Sequence, residues 1–298
     1  MEHPEKVLTD FEKSCDFMVG VDSDGCAFDS MDFKHNECFA PAVINVFDLQ
    51  PYAKYAREVW SFVNLYSKTR GLNRFPALVR FFELLSQRPE VQARGFVMPD
   101  LTDLREWIAG EKVLGNPSLA RAIEKNPSPI LKQALAWSEE VNANVRKMSR
   151  NIPPFPYARE ALAKAHAGAD VLVVSATPTE AIAKEWAANQ IDQYLKVIAG
   201  QEMGTKSVHL SLAKKGRYAD DHMIMVGDAP GDMKSAKENH ILFYPINPGD
   251  EETSWKRFYE EALDLFFAGK YAGEYEAARI AEFEACLPEL PPWEVENA

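Results

Sequence analysis

Cysteine is scarce: four residues in 298, Cys15, Cys26, Cys38 and Cys286. None forms a C-x-x-C pair, a pattern that fits reduced thiols in a cytoplasmic chain better than a disulfide framework. The six histidines include no H-E-x-x-H pattern. No apolar run approaches the length needed to span a bilayer, and the opening MEHPEKVLTDFEKSCDF lacks the basic and apolar regions of a signal peptide. No membrane association is therefore expected. Block-like clusters of Lys and Arg are also absent, and 33 basic residues against 45 acidic ones leave a net charge of −12. That balance excludes a nucleic-acid partner as the leading expectation. An acidic chain that handles an anionic substrate needs a local cation, either a metal or a placed Lys or Arg. Internal repeats and low-complexity segments are missing too.

What is present is an alternation. Short apolar runs at Phe17 to Val21, Val171 to Val174, Leu195 to Ala199, Met223 to Val226 and Ile241 to Ile246 have the length and bounds of buried parallel strands. Helix-like segments separate the later ones, for example Thr179 to Asn189 and Ser207 to Lys215. This order predicts an α/β fold, a Rossmann-like parallel sheet with helices on both faces. Residues 31–149 read differently. Tyr52, Tyr55, Ala56, Val59, Val63 and Tyr66 recur at helical spacing, Pro76 fits the first turn of a helix through ALVRFFELLSQ, and ALAWSEEVNANVRKM continues the pattern. The expected organisation is a core made of 1–30 and 150–298, interrupted by an all-helical insertion at 31–149. NIPPFPY stiffens the re-entry. After Pro248 two more helical patterns follow, and the tail LPELPPWEV is expected to be extended.

Polar residues gather at the strand ends. Asp22 and Asp24 follow the first strand and Ser175 follows the second. Lys206 opens the helix before the fourth strand, and Asp228 and Asp232, in GDAPGD, follow it. Ligands of parallel α/β sheets bind beyond the carboxyl ends of the strands, so these positions are expected to converge. The residue types suit phosphoryl transfer through a covalent intermediate. Asp22 can act as a nucleophile, and Asp24 as an acid toward the leaving group and later a base toward water. Asp228 can join Asp22 in holding Mg²⁺, a hard cation that prefers oxygen ligands. Lys206 and the Ser175 hydroxyl can hold phosphoryl oxygens. Thr177, Pro178 and Glu180 read as a T-x-x-E capping box, which puts a helix N-terminus beside Ser175.

The set resembles the haloacid dehalogenase (HAD) superfamily of phosphatases and phosphomutases. VDSDGCAFDS looks like its first motif, hhhDxDGTLxDS. VLVVSAT looks like the second, Lys206 fits the third, and VGDAPGD fits GDxxxD. The resemblance implies an HAD-like core with a helical cap inserted after the first motif, and the first strand at the centre of the sheet. It implies Asp22 as nucleophile and Asp24 as general acid/base. Mg²⁺ would be bound by Asp22, the Asp24 backbone carbonyl and Asp228, with Asp232 supporting the metal shell or orienting Lys206. Two departures stand out. Cys26 occupies a place where Thr is common, and no Pro follows Lys206, which keeps Lys214 and Lys215 as fallback candidates for the third motif. In the insertion, TRGLNR is similar to the K/R-G-x-x-R loop that contacts substrate in phosphoglucomutase-like relatives, making Arg70 and Arg74 candidate substrate ligands.

The expected activity is Mg²⁺-dependent hydrolysis of a small phosphorylated metabolite, such as a sugar phosphate. A phosphomutase that returns the phosphoryl group to a second position is the alternative. Asp24 argues against a haloacid dehalogenase and against a phosphonatase. A non-catalytic binding protein on the same scaffold is disfavoured by the intact acidic set.

Overall fold

A computed structural model describes residues 3–148 and 152–295. Its five strands, β1 (Phe17–Val21), β2 (Ala169–Val174), β3 (Val197–Ala199), β4 (Met223–Gly227) and β5 (Leu242–Pro245), form one sheet in the order β3-β2-β1-β4-β5. All four pairings are parallel. The apolar runs are continuous because both faces of the sheet are covered. Val19, Val21, Val171, Val173, Ile224 and Val226 point into one buried cluster, whereas Met18, Leu172, Val174, Met223 and Met225 point into another. That division is the two-residue period of a strand.

The register aligns the polar strand ends. Val21 of β1 is level with Val173 of β2 and Val226 of β4. The residues just beyond, Asp22, Ser175 and Asp228, therefore leave the sheet along the same edge. The Asp22 N–H still donates to the Val226 carbonyl at 3.0 Å, and the Ser175 N–H to the Ala199 carbonyl at 3.0 Å.

β2 starts two residues earlier than its apolar run. The run hides the start because Asp170 is a buried carboxylate inside the strand. It accepts from the Ser14 and Cys15 N–H groups at 2.9 and 3.2 Å and from the Tyr218 hydroxyl at 2.7 Å. Those donors replace the water that burial removes.

The chain divides into two compact units, one of Met1–Ser30 with Asn151–Leu287, the other of Met31–Arg150 with Pro288–Ala298. The sheet belongs to the first. The second holds helices and no strand among its described residues, with main helices at Ala53–Leu65, Arg74–Gln87, Thr102–Gly110, Asn116–Lys125 and Pro129–Met148. Its interior is rich in rings, among them Trp60, Phe75, Phe81, Phe82 and Trp137. The helix of ALVRFFELLSQ starts at Arg74, ahead of Pro76, because Asn73 accepts the Phe75 N–H at 3.0 Å and caps it.

The tail differs from its extended expectation. Pro292–Val295 forms a helical turn, which begins on a proline that has no N–H to leave unpaired. Trp293 makes the turn worthwhile: its ring meets Phe62 edge-on at 5.6 Å and receives the Arg88 guanidinium at 4.5 Å. Glu289 adds an ion pair with Lys68 at 3.3 Å.

Candidate active site

Asp22 follows directly from β1, and its side chain is almost fully buried. Oδ1 accepts the Ser23 N–H at 2.7 Å and Oδ2 accepts the Lys206 ammonium at 2.6 Å. The same ammonium donates to Asp232 Oδ1 at 2.5 Å. Lys206 lies in the first turn of the helix Lys206–Lys214, whose cap is the Thr205 hydroxyl. A cation is disfavoured at a helix N-terminus, and here two buried carboxylates offset that cost. They also hold the ammonium in its charged form, above the usual lysine range despite its burial.

Asp232 is tied down from its other oxygen. Oδ2 accepts the Ala229 N–H at 3.1 Å, at the start of the helix Pro230–Glu238. Gly227 makes this possible, since a Cβ there would lie 2.4 Å from the Asp232 Cβ. Oxygens of Asp22, Asp228 and Asp232 all lie within 4.8 Å of one another, and all three residues are buried. Burial pushes Asp22 above the usual carboxylate range. Lys206 opposes that shift, and Asp232 and Asp228 add to it. A buried group of three carboxylates with one ammonium is short of positive charge, and its oxygens are the donor type that a hard divalent cation prefers. The residues present thus fit such an ion.

Asp24 is held by two hydroxyls. Ser30 Oγ donates to Oδ1 at 2.5 Å and Thr177 Oγ1 donates to Oδ2 at 2.9 Å. Thr177 is therefore not the helix cap expected from the T-x-x-E pattern. Pro178 occupies the cap position and the helix runs Thr179–Ala188. The Thr177 hydroxyl goes to a carboxylate, a stronger acceptor than a helix end. Glu202 takes over at that end, accepting from the Thr179 N–H at 3.1 Å and its hydroxyl at 2.9 Å. Ser175 is buried, and its Oγ accepts the Thr177 N–H at 3.2 Å. Thr177 and Ser30 escaped the sequence reading as partners of Asp24. Ser30 ends the first motif's DS pair, and Thr177 stands two residues after Ser175, but only folding brings them to one carboxylate.

Of the lysines weighed for the third motif, Lys206 is the one brought to the carboxylates. Lys214 instead pairs with Asp220 at 2.6 Å and donates to the Asn239 carbonyl at 2.7 Å.

The Lys206 helix also carries His209, which is fully buried. Neither ring nitrogen has a hydrogen-bond partner of good geometry among the described residues. Burial pushes the imidazole down to about 4; Lys206 adds to that, and the Gly200 and Gly204 carbonyls oppose it. The folded state thus disfavours the protonated ring. The stability this gives is full above the ordinary histidine range and is lost as the pH falls through it toward 4. We expect a decline of about 1.4 kcal/mol per pH unit from this residue, up to roughly 3 kcal/mol. Denaturant unfolding at a series of pH values checks it: His209→Leu should lose less stability than wild type between neutral and acid pH, and parallel curves would refute it.

A family model described as haloacid dehalogenase-like hydrolase matches residues 112–245. That span holds Ser175, Lys206, Asp228 and Asp232. Over that span the chain is similar to haloacid dehalogenase-like hydrolases. Asp22 and Asp24 precede the matched span. No curated protein matches the chain in sequence. Among solved structures, similar folds include a haloacid dehalogenase-like family hydrolase from Xanthomonas campestris, 11% identical with a TM-score of 0.48, covering 89% of this chain and 99% of the other. A hydrolase from Pseudomonas syringae is 16% identical with a TM-score of 0.47, over 87% and 100% of the two chains. A predicted phosphoglycolate phosphatase from Haemophilus somnus is 13% identical with a TM-score of 0.47, over 76% and 84%.

Arg70 and Arg74 both engage groups of their own helical unit. Arg70 is buried and donates from Nη1 to the Leu65 carbonyl at 2.9 Å. Arg74 Nη1 donates to Ser138 Oγ at 2.9 Å and Asn142 Oδ1 at 2.8 Å, and its guanidinium stands 5.1 Å from the Phe39 ring centroid. Among the described residues no carboxylate pairs with Arg74, and burial pushes it down to about 10. Among those residues, too, no helix is long and apolar enough to cross a membrane.

Proposed function

We propose that the chain is a Mg²⁺-dependent phosphatase that hydrolyses a small phosphorylated metabolite through an aspartyl-phosphate on Asp22. The observation that carries this reading is the Lys206 ammonium held between Asp22 and Asp232, at 2.6 and 2.5 Å, beside the buried Asp228. Asp22, the Asp24 backbone carbonyl and Asp228 would hold the ion, with Asp232 supporting them. When bound, Mg²⁺ supplies positive charge that offsets repulsion between carboxylates and a phosphate dianion.

The chain's own residues do the rest. A carboxylate oxygen of Asp22 forms a bond to phosphorus as the ester P–O bond breaks, and the departing oxygen takes a proton from the Asp24 carboxyl group. Asp24, now ionised, takes a proton from water as that water attacks the phosphoryl group, which restores Asp22 and releases inorganic phosphate. Lys206 and the Ser175 hydroxyl hold the phosphoryl oxygens during both steps. A reducing, cytoplasmic setting fits the four cysteines, all free thiols.

Purified protein mixed with Mg²⁺ and a panel of phosphate esters tests the proposal. Phosphate release that stops with EDTA and returns with added Mg²⁺ is the expected result, and no release from any ester would overturn it. A phosphomutase is the second reading, favoured by Arg74, a largely buried cation whose hydrogen-bonding partners are all neutral. Such a cation, with Arg70, could take an anionic or hydroxylated part of the substrate. Isomer conversion that requires a bisphosphate, without net phosphate release, would select that reading.

A further inference from the structure

Two tryptophans outside the motifs spend their indole N–H groups on the loop that carries Asp22 and Asp24. Trp186, in the helix Thr179–Ala188, donates to Ser23 Oγ at 2.9 Å. Trp255, in the helix Glu251–Arg257, donates to the Cys26 carbonyl at 2.7 Å. Both side chains are fully buried. The two acceptors stand on either side of the Asp24–Gly25 turn, where Gly25 takes a φ of 78° that a side chain would disfavour.

The loop between them is bonded to itself. The Ala27 and Phe28 N–H groups both donate to the Ser23 carbonyl, at 2.9 and 3.1 Å, and the Gly25 N–H donates to the Phe28 carbonyl at 2.9 Å. The Phe28 ring meets Trp186 edge-on at 5.6 Å. Ser23 is thus the pivot of the loop, and Trp186 holds its hydroxyl.

Buried tryptophans in this chain are not always given a partner. Trp107 and Trp137, in the core of the helical unit, have no hydrogen-bond acceptor for their Nε1–H among the described residues. Those two serve as packing. Trp60, in the same helical core, gives its Nε1–H to His35 Nδ1 at 3.1 Å, whereas in the sheet unit both indole N–H groups reach the four-residue stretch Ser23–Cys26 that includes Asp24. Trp255 lies beyond the last motif residue, Asp232, and beyond the span matched by the family model.

The need for such anchors follows from charge. Asp22, Asp228 and Asp232 crowd together in a buried place, and like charges push the loop away from β4. Neutral hydrogen bonds at Ser23 and Cys26 resist that push without adding charge. A displacement of about 1 Å at a reacting group can cost on the order of 100-fold in rate.

We propose that Trp186 and Trp255 are positioning residues that preset the Ser23–Cys26 backbone, and with it Asp22 and Asp24, before substrate arrives. The inference deepens the phosphatase reading and rests on it for its effect on turnover. Neither indole touches the substrate.

Trp186→Phe and Trp255→Phe keep a ring and remove the donor. Ser23→Ala removes the acceptor of Trp186 without touching a core ring, so it stands in if a tryptophan variant fails to fold. Each should lower kcat by about 10- to 100-fold with KM within about twofold. Amide hydrogen exchange at Ala27 and Phe28 should quicken while the β1, β2 and β4 amides keep their protection. Trp186→Phe should add little on a Ser23→Ala background. Wild-type turnover together with wild-type loop exchange would overturn the proposal. So would exchange that quickens equally across the sheet, or faster loop exchange with unchanged kcat. If the wild-type protein hydrolyses no ester, the phosphatase reading fails by itself, and loop exchange alone then decides whether the indoles set this loop.

Discussion

Asp22→Asn should abolish phosphate release, by at least about 1,000-fold in kcat, without unfolding the protein. The amide has nearly the shape of the carboxylate but cannot form the acyl phosphate. Its single carbonyl oxygen can keep one of the two bonds that the Asp22 oxygens now accept, from Lys206 at 2.6 Å and from the Ser23 N–H at 2.7 Å, and the other is lost to the NH2 group; the relief of charge repulsion offsets that loss. Stability should not fall. Three carboxylates have oxygens within 4.8 Å of one another in a buried place, so removing one charge relieves repulsion, while Asp232 keeps its 2.5 Å bond to Lys206. In EDTA the thermal midpoint of Asp22→Asn should equal or exceed that of wild type, and added Mg²⁺ should raise it less. A variant that hydrolyses esters at the wild-type rate would remove Asp22 from the reaction. A variant whose midpoint drops sharply in EDTA would show that the charge of Asp22 serves the fold.

Lys206→Met has the opposite signature. Its loss strands Asp22 and Asp232, whose side chains are only 8% and 0% exposed, against 17% for Lys206. Removing one partner of a buried ion pair costs about 3–5 kcal/mol, because the remaining charge loses its compensation. The thermal midpoint in EDTA should therefore fall by several degrees, and Mg²⁺ should recover part of the loss by supplying positive charge to the same carboxylates. Turnover should fall by about 100-fold or more, the usual effect of removing one donor to a developing phosphoryl charge. Unfolding scans with and without Mg²⁺, paired with phosphate release, check both. An unchanged midpoint in EDTA would mean that the ammonium does not compensate this cluster.

The two variants separate roles that one geometry combines. Under the proposed mechanism Asp22→Asn should spare the fold and stop the chemistry, whereas Lys206→Met should impair both. A divalent cation should help each protein in proportion to the carboxylate charge that remains.

Much of the fold was legible in the sequence because parallel strands covered on both faces read as unbroken apolar runs, and helices between them read at their own period. β1 and β4 were found almost to the residue. β2 was shortened because a buried Asp170 resembles a loop residue until Ser14, Cys15 and Tyr218 are seen to serve it. The helical turn at Pro292–Val295 was missed for a related reason: a proline-rich tail has no helical period, and the turn depends on Trp293 finding Phe62 and Arg88.

The residue types at the strand ends, and their order along the chain, are properties of the sequence alone, and from them Asp22, Asp24, Ser175, Lys206, Asp228 and Asp232 were expected to converge. Which atoms meet was decided only by the tertiary structure. Strand register sets Asp22 level with the end of β4, and the absence of a Cβ at Gly227 lets Asp232 approach. The Thr177 hydroxyl had two possible acceptors within reach of its local sequence and beyond it, a helix end or a carboxylate. It went to Asp24, 153 positions away, because hydrogen bonds to a charged acceptor are the stronger ones. Trp186 and Trp255 carry no motif at all, and their hold on Ser23 and Cys26 exists only because folding closes separations of 163 and 229 positions. Local patterns record what a residue can do, and long-range packing selects which of those possibilities is used.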